Sequence, residues 1–410
     1  MSDLIIVGAG PAGLRASIIC ARNGLSVTVV DEYMKAGGRL LGQLYQEKDG
    51  EWWNGLQESE RLYEEALSSG VEIKLGLSVI HIENSENAWT VHTNAELLTS
   101  SYLLLATGAA EAPQPIDGWT LPGVMSVGAA QVMTTVQRVK PGNAGVIIGI
   151  SVLGSAIAME LDMAGIHIKS MVLPKKTEFN EEFANPLHVM ESLSHISHLA
   201  PSKLIQWSSP LLKWKYMRNL STRFFPKRGF KIWDFPVHLR KAALEIVGES
   251  KVEGVKVAAI DINGNPIEGT EEIIEADFVC IAGGLYPLAE LAALTGCPFL
   301  DAAELGGYVP LHSEKMETPV DRLFVAGNIT GIESAKVALA QGEVAAYSIL
   351  QHATNHENFK EKVNRSVENV QQIRDQAPLS FNPHINEGRK KMQNSWNEWL
   401  NEHTKSSHLA

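Results

Sequence analysis

The chain has 410 residues, enough for two or more domains, and its 47 acidic and 35 basic residues give a formal net charge of -12. This acidic surplus argues against nucleic acid as the main partner, because phosphate binding needs an excess of lysine and arginine. No apolar run is long enough for a membrane-spanning helix, and the chain enters a predicted strand at once, so we expect a cytoplasmic protein without a signal peptide.

A glycine-rich turn opens the chain. Residues 4–7 form a short apolar run typical of a buried parallel strand, and residues 14–22 are predicted to be helical. The turn between them carries three glycines at G-x-G-x-x-G spacing: Gly8, Gly10 and Gly13. This spacing allows a tight turn, the close approach of a pyrophosphate and helix–strand packing, and the helix N-terminus attracts phosphate. The next predicted strand ends at Asp31, where a carboxylate can bind a ribose hydroxyl, so the stretch predicts a dinucleotide site.

Later turns are predicted to complete that site. The loop at residues 37–38 consists of two glycines, which would let a flat ligand lie close to the backbone. Small residues at 106–108 follow an apolar strand, and Gly327-Asn328 follows another. Ligands bind at the carboxyl ends of strands in such sheets, so we expect these turns to meet at one edge. A helix is predicted over residues 332–350.

A second strand–turn–helix unit begins near residue 145. Its turn has Gly149 and Gly154 at matching positions, but Ser151 replaces the middle glycine, and the strand predicted over 166–173 ends without an acid. A serine side chain can crowd a pyrophosphate where a hydrogen would not. The chain is therefore interpreted as a duplicated nucleotide-binding architecture, and whether its second copy binds NAD(P) is left open. The lysines at 175 and 176 would favour NADP over NAD.

The three cysteines have no C-x-x-C or related spacing; they are Cys20, Cys280 and Cys297. We expect buried, inert thiols, which argues against a redox-active disulfide, a zinc site or an iron–sulfur cluster held by this chain alone. No metal site is predicted.

Residues 177–240 differ in composition from the rest of the chain. Between 203 and 231 lie eight lysines and arginines and no acid, interleaved with aromatic residues that continue to Trp233. This stretch is interpreted as a helical lid or partner interface, in preference to a face that binds an anionic membrane surface. The polar last sixty residues are predicted to form a docking arm or a capping helix pair, with Trp396 and Trp399 as anchors.

The order of these motifs resembles the two-dinucleotide-binding-domain flavoproteins of the pyridine-nucleotide–disulfide oxidoreductase superfamily over about residues 1–350. A narrower group of these flavoproteins is also similar to this chain: the FAD subunits of opine oxidase, hydrogen cyanide synthase, and hydroxyproline or proline dehydrogenases. The residues that resemble this group are Trp-Thr-Leu-Pro-Gly-Val at 119–124 and Val-Gly-Ala-Ala-Gln at 127–131. The resemblance implies FAD as the cofactor, whereas the paired cysteines of the disulfide reductases are absent.

The fold class implied is α/β, with two Rossmann-like three-layer domains, the second inserted in the first. The FAD-binding domain is expected over 1–115 and 290–350 and the second, degenerate dinucleotide-binding domain over 116–289, with the insertion at 177–240. A helical C-terminal arm is expected over 351–410.

The residues that the resemblance places at the FAD are drawn from all of the turns described above. They are Gly8, Gly10, Pro11, Ala12, Gly13, Asp31, Glu32, Gly38, Arg39, Gln43, Ala106, Thr107, Gly108, Gly327, Asn328 and Ile332. The family usually has aspartate where this chain has Asn328. No motif identifies the residue that would act as a base toward the substrate, and Tyr308 and His312 are the only candidates.

Three functions remain open from the sequence. The first is the FAD subunit of a heteromeric amino- or imino-acid dehydrogenase, whose electrons leave through a partner such as a second flavoprotein or an iron–sulfur protein. The second is an NAD(P)H-dependent reductase of a small electron carrier. The third is a flavin-binding scaffold subunit without catalysis. In each case an oligomer is expected.

Overall fold

A computed structural model describes residues 1–46, 50–85, 88–178, 180–194, 229–232, 235–377 and 382–407. The chain divides into two compact units, one built from residues 1–110 and 285–410 and the other from residues 111–284. Most of the basic aromatic stretch at 203–233 lies outside the described residues, so both interpretations of it stay predictions.

The strands and helices are numbered in chain order. The strands are β1 (Ser2–Val7), β2 (Val27–Asp31), β3 (Leu44–Gln46), β4 (Trp52–Asn54), β5 (Glu72–Leu75), β6 (Val79–Ser85), β7 (Ala88–Thr93), β8 (Leu97–Leu105), β9 (Ala109–Glu111), β10 (Val124–Ser126), β11 (Ala144–Ile148), β12 (His167–Pro174), β13 (Phe230–Ile232), β14 (Phe235–Val247), β15 (Gly254–Ala259), β16 (Glu272–Glu275), β17 (Phe278–Ile281), β18 (Leu285–Pro287), β19 (Phe299–Ala302), β20 (Gly307–Pro310) and β21 (Leu323–Val325). The α-helices are α1 (Pro11–Arg22), α2 (Gly55–Ser68), α3 (Val127–Thr135), α4 (Val152–Met163), α5 (Glu181–Ala184), α6 (Pro186–Ser194), α7 (Glu290–Leu294), α8 (Ala335–Thr354), α9 (Glu357–Gln376) and α10 (Ile385–Ser407).

The main sheet of the first unit has the order β5-β2-β1-β8-β7-β6, with β21 also paired to β8. Strands β5, β2, β1, β8 and β21 are parallel, and β8, β7 and β6 are antiparallel. Residues 4–7 are buried on both faces, as the apolar run predicts for a central parallel strand. Helix α1 packs against α8 beside this sheet.

The sheet of the second unit has the order β10-β17-β11-β12-β14-β15-β16, with β13 on β14. It is parallel from β10 to β14 and antiparallel from β14 to β16. The long strand β14 already belongs to the sheet at Phe235, so the predicted insertion ends too late at residue 240. The reason is the alternation of apolar residues, since Phe235, Val237 and Leu239 are all buried.

The predicted α/β class with two Rossmann-like, parallel-strand units is confirmed. The chain leaves the first unit after residue 110 and returns to it at residue 285, so the second unit is inserted in sequence.

The C-terminal residues pack within the first unit as a pair of helices, α9 and α10. Trp396 is buried in a small core with Leu305, Val309 and Met392, and its ring stacks on Trp399 at a centroid distance of 5.6 Å. The described part of the chain contains no helix that is both long enough and apolar enough to cross a bilayer.

Candidate functional site

The candidate site lies at the carboxyl edge of the parallel strands in the first unit. Val7 pairs with Val30 of β2 and with Leu105 of β8, and Leu105 pairs with Val325 of β21. The four strands therefore end at the same level, and the turns that follow them meet at one edge. These turns contain Gly8, Asp31, residues 106–108 and Gly327-Asn328, as the sequence predicts.

The glycine turn leaves open space at one position only. A Cβ on Gly8, whose φ is +111°, would lie 2.3 Å from the Ala106 carbonyl oxygen, and a Cβ on Gly13 would lie 1.9 Å from the Gly8 carbonyl oxygen. A Cβ on Gly10 would meet no heavy atom within 4 Å. Gly8 and Gly13 are thus required by packing, whereas the absence of a side chain at Gly10 leaves room for a ligand.

Helix α1 begins directly behind this space. Gly10 is its N-cap and makes no side-chain capping hydrogen bond, and Pro11 is the first helical residue. The first-turn amides and the positive end of the helix dipole therefore face the open side of the turn, which suits a pyrophosphate. Ala12 is buried, with its Cβ 3.0 Å from the position of a Cβ on Gly327.

Asp31 ends β2 beside this turn. Its Oδ2 accepts a hydrogen bond from the Ala9 amide at 2.7 Å, and its Oδ1 accepts one from the Tyr33 amide at 2.8 Å. Burial raises the pKa of Asp31, and the two amides oppose that shift. Each carboxylate oxygen keeps a second lone pair, so the group can still accept from a ribose hydroxyl. Glu32 is exposed beside it.

The two-glycine loop lies against the glycine turn. The Gly37 amide donates to the Ala9 carbonyl at 2.7 Å, and a Cβ on Gly38 would lie 3.3 Å from Gly10 Cα. Arg39 follows, and its guanidinium donates to the Ala109 carbonyl through Nε and Nη2, both at 3.2 Å. The loop thus borders the space beside Gly10.

Trp53 and Lys336, which sequence reasoning missed, join the predicted residue Gln43 to helix α8. Gln43 Oε1 accepts from Trp53 Nε1 at 3.0 Å, and Lys336 Nζ lies 5.2 Å from the centroid of the Trp53 ring. The only signal in the sequence was the unusual pair of tryptophans at 52 and 53.

The turns after β8 and β21 complete the edge. Thr107 Oγ1 donates to the Leu288 carbonyl at 2.5 Å, and the Gly108 carbonyl accepts from the Leu288 amide at 3.0 Å. Gly327 precedes a short 3₁₀ turn, Asn328–Thr330. Asn328 Oδ1 accepts from the Glu333 amide at 3.3 Å, which folds the turn back on itself.

The predicted helix start near Ile332 is wrong. Helix α8 begins at Ala335, because Ser334 Oγ caps it by accepting from the Val337 amide at 3.4 Å. Ile332 is instead a buried residue between the 3₁₀ turn and the helix, and its amide donates to the Leu305 carbonyl. The helical amides nearest the edge are thus those of residues 335–337.

Residues 2–194 match the sequence profile of the pyridine nucleotide-disulphide oxidoreductases. This match places residues 2–194 in that family, and the protein is an FAD-dependent oxidoreductase. Its cofactor is therefore FAD, and the space beside Gly10 fits that group, because a dinucleotide pyrophosphate requires close approach to backbone amides.

Among relatives of this oxidoreductase, an opine oxidase subunit of Rhizobium meliloti (strain 1021) is 28% identical over 85% of the chain, and the match covers 70% of the relative. Hydrogen cyanide synthase subunit HcnB of Pseudomonas aeruginosa is 26% identical over 84% of the chain and 70% of its own length.

Two solved structures show the same fold. L-proline dehydrogenase from P. horikoshii superposes with a TM-score of 0.62 at 17% identity, covering 89% of this chain and 58% of that one. Thioredoxin reductase from T. acidophilum has a TM-score of 0.61 at 21% identity, covering 86% of this chain and 98% of that one.

The second unit of the oxidoreductase has a different turn. Ser151 is the N-cap of α4, and its Oγ accepts from the Gly154 amide at 3.0 Å. One amide in the first turn of α4 is therefore already bonded to the chain's own side chain. The turn after β12 is also occupied, since Asn180 accepts from the Thr177 amide at 2.7 Å and donates to the Lys175 carbonyl at 2.9 Å. Whether the second unit binds a nicotinamide nucleotide therefore stays open, as in the sequence analysis.

Replacing Ser151 with alanine is expected to lower the free energy of unfolding by about 1 kcal/mol, because the Gly154 amide loses its acceptor. Replacing it with glycine should cost only a few tenths of a kcal/mol, since glycine is itself an adequate N-cap. Urea unfolding of the two variants beside wild type measures the difference. Equal effects of alanine and glycine would show that the hydroxyl does not cap the helix.

A buried ion cluster, which the sequence did not predict, lies between the 3₁₀ turn Asn328–Thr330 and the C-terminal helices. Glu333 accepts from Arg374 Nε at 2.5 Å and from Arg374 Nη2 at 3.1 Å, and it also pairs with Arg389. The three side chains are 6%, 10% and 13% exposed, respectively. Arg389 donates in addition to the Thr330 carbonyl at 2.8 Å. The only sign in the sequence was an isolated acid at 333 in an apolar stretch.

His312 belongs to this ion cluster. Its Nδ1 donates to the Pro310 carbonyl at 2.7 Å, so its Nε2 carries the lone pair and accepts from Arg389 Nη1 at 3.3 Å. Burial, followed by the positive charge of Arg389, lowers the pKa of His312 to about 3, so the ring is neutral. Both nitrogens are occupied and the ring is 2% exposed, an arrangement that suits packing and not proton abstraction. Tyr308, the other candidate base, is 66% exposed.

All three cysteines are buried and free, as expected. Burial raises the pKa of Cys297 to about 12 and those of Cys20 and Cys280 further still, so none is a thiolate at neutral pH. Within the described ranges, no group of three or more His, Cys, Asp or Glu side chains could hold a metal ion.

Proposed function

We propose that this FAD oxidoreductase is one subunit of a heteromeric dehydrogenase that oxidises a small amino or imino acid at the C–H bond beside nitrogen. The names of two relatives support this, because each is a subunit of an enzyme: opine oxidase and hydrogen cyanide synthase. The proposal concerns substrate and assembly; the family and the cofactor do not depend on it.

The observation that carries the proposal is the capped turn of the second unit. In a reductase fed by NADH or NADPH, that turn must bind the pyrophosphate of the nicotinamide nucleotide. Here the Ser151 hydroxyl occupies the Gly154 amide instead. Electrons are therefore proposed to reach the flavin from an organic substrate.

The residues proposed to hold FAD are those at the carboxyl edge of the first sheet. The first-turn amides of α1 would bind the pyrophosphate, Asp31 would accept from the adenosine ribose, and Asn328 would reach the ribityl side. When bound, FAD supplies an acceptor for a hydride equivalent. The amides of residues 335–337 lie at the positive end of α8, which favours negative charge near that helix.

The electrons are proposed to leave through a partner chain. A dithiol relay within this chain is not available, because its three thiols are buried, free and protonated. The proposed partner is a redox protein, and the two classes considered are a second flavoprotein and an iron–sulfur protein.

The test is anaerobic reduction of the flavin in the purified complex. We expect at least one member of a panel of proline, hydroxyproline, glycine, sarcosine and opines to bleach the flavin, whereas NADH and NADPH in stopped-flow mixing do not. Bleaching by NADPH with no response to the amino acids would overturn the proposal and favour the reductase of a small electron carrier. No bleaching by any compound, with stoichiometric flavin present, would favour a scaffold role without catalysis.

Co-purification tests the heteromeric assembly separately. We expect the chain to be isolated with other subunits from its native source and to lose turnover with an external electron acceptor when they are removed. Full amine-dehydrogenase turnover by the isolated chain would contradict the assembly while leaving the substrate class intact.

A further inference from the structure

A series of close contacts runs around the open space beside Gly10. On one side, a Cβ on Gly38 would lie 3.3 Å from Gly10 Cα. On the other side, a Cβ on Gly327 would lie 3.0 Å from the Cβ of Ala12 and 3.9 Å from the Cβ of Ala338. Ala338 lies in the first turn of α8, so this helix begins at the same edge of the sheet as α1.

The side chains of Trp53 and Lys336 complete these contacts. Gln43 follows the 3₁₀ turn Gly38–Gly42, and its Oε1 accepts from Trp53 Nε1 at 3.0 Å. Lys336 Nζ lies over the Trp53 ring, 5.2 Å from its centroid, which is a cation–π contact. Gln43, Trp53 and Lys336 are all partly exposed, so they are accessible without any rearrangement of the core.

Lys336 carries a positive charge at an unfavourable place in its own helix. It is the second residue of α8, directly after the capping residue Ser334 and Ala335. The free amides of a first turn already give that end of a helix a partial positive charge, which disfavours a cation there. The first turn of α8 contains no acidic residue to offset it. The contact with the Trp53 ring therefore holds the lysine where the helix alone would not favour it.

A cation at this edge would act on the cofactor through its charge. Reduction of FAD by two electrons with uptake of one proton adds one negative charge to the flavin. A fixed positive charge nearby favours that reduced state, and charges placed around a flavin are a means by which proteins tune its electronics. Arg39, another cation near this space, directs its Nε and Nη2 at the Ala109 carbonyl instead.

We infer that Lys336 tunes the FAD site: its ammonium, positioned by Trp53, favours the reduced cofactor and raises its reduction potential. Trp53 is a positioning residue, which acts only through Lys336. This role rests on the proposed FAD edge and not on the proposed amino-acid substrate.

The experiment is anaerobic reduction of the full-length, flavin-loaded protein with dithionite in the presence of a redox dye, which gives the potential of the bound FAD. Lys336→Gln is expected to lower the ratio of reduced to oxidised cofactor about tenfold at a fixed dye potential, or about 30 mV for a two-electron couple. Lys336→Arg keeps the charge and can stack on the indole, so its ratio should stay within about twofold of wild type.

Lys362→Gln is the matched control. Lys362 Nζ lies 5.3 Å from the centroid of the Tyr347 ring, so this variant removes the same charge from the same kind of contact, on α9 and outside the proposed FAD edge. Its potential should equal that of wild type. A wild-type potential in Lys336→Gln, or equal shifts in Lys336→Gln and Lys362→Gln, would overturn the assignment.

A double-mutant cycle tests the positioning role of Trp53. Trp53→Leu should lower the ratio severalfold in wild type, because Lys336 loses the ring that holds it, and should have no further effect in Lys336→Gln. Equal effects in both backgrounds would show that Trp53 acts on the cofactor independently of the lysine. If Trp53→Leu does not fold, Trp53→Phe keeps a weaker aromatic partner and should shift the ratio in the same direction, again only when Lys336 is present.

A Gly10→Ala variant separates this role from the location of the cofactor. If Gly10→Ala loses FAD affinity while Lys336→Gln keeps the wild-type potential, the cofactor lies at this edge and the lysine does not tune it. If Gly10→Ala keeps full FAD affinity, the cofactor lies elsewhere and the role of Lys336 is refuted with the site. Dithionite supplies the electrons, so the absence of flavin bleaching by amino acids would change neither result.

Discussion

Replacing Glu333 with glutamine is expected to lower the free energy of unfolding by about 3–5 kcal/mol. The carboxylate neutralises two guanidiniums, those of Arg374 and Arg389, whose side chains are only 10% and 13% exposed. Removing it leaves two buried positive charges without a counterion. Urea unfolding at pH 7 of the variant and of wild type measures this loss.

The ion cluster of Glu333, Arg374 and Arg389 also predicts that the fold loses stability in acid. Burial alone would raise the pKa of Glu333, but the two guanidiniums outweigh that effect and hold the pKa below its ordinary value of 4.5. A carboxyl group with a lowered pKa stabilises the fold above its unfolded pKa, and this contribution is lost as the pH falls through the folded value. The difference in stability between wild type and Glu333→Gln should therefore be constant near neutral pH and shrink below about pH 4.5.

Glu343→Gln is the matched control. Glu343 lies on α8 and pairs with Arg15 at 2.8 Å, but these side chains are 26% and 34% exposed. A partly exposed pair contributes about 0–1 kcal/mol, so this variant should be close to wild type. Equal losses in the two variants would show that the buried cluster does not stabilise the C-terminal helices as described.

Replacing Gly10 with alanine is expected to lower FAD affinity at least tenfold, or by about 1.4 kcal/mol or more, and to leave the flavin-free protein nearly unchanged. A methyl group on Gly10 would meet no protein atom within 4 Å, and the φ of Gly10 is −76°, which alanine adopts freely. The added group would instead occupy the space proposed for the pyrophosphate. Flavin content and fluorescence titration with FAD measure affinity, and thermal unfolding of the flavin-free protein measures the fold.

Gly13→Ala provides the contrast. Its Cβ would lie 1.9 Å from the Gly8 carbonyl, a backbone atom that cannot rotate away, so α1 must shift from β1. We expect a loss of about 1–3 kcal/mol in the flavin-free protein itself. If Gly10→Ala lost as much stability as Gly13→Ala, or kept full FAD affinity, the open space beside Gly10 would not be the cofactor site.

The parallel sheets and the glycine turn could be predicted from the sequence because their causes are local. Residues 4–7 are apolar without interruption, and the glycine spacing that follows has a steric reason at each position. The buried state of the three cysteines followed from their surroundings and spacing. The start of α8 could not be predicted exactly from the sequence. A helix that includes the apolar residue at 332 and a helix capped by Ser334 are both compatible with the pattern.

The sequence by itself determined the fold class and the set of turns that meet at one edge of the first sheet, since backbone periodicity and steric limits at glycine act over a few residues. Only the tertiary structure showed that the Ser151 hydroxyl caps its own helix, because this depends on the rotation of one side chain. Likewise, only the tertiary structure brought Glu333 to arginines 41 and 56 residues away. Such ion pairs leave no periodic pattern, because charged residues on polar helices look alike until packing buries some of them.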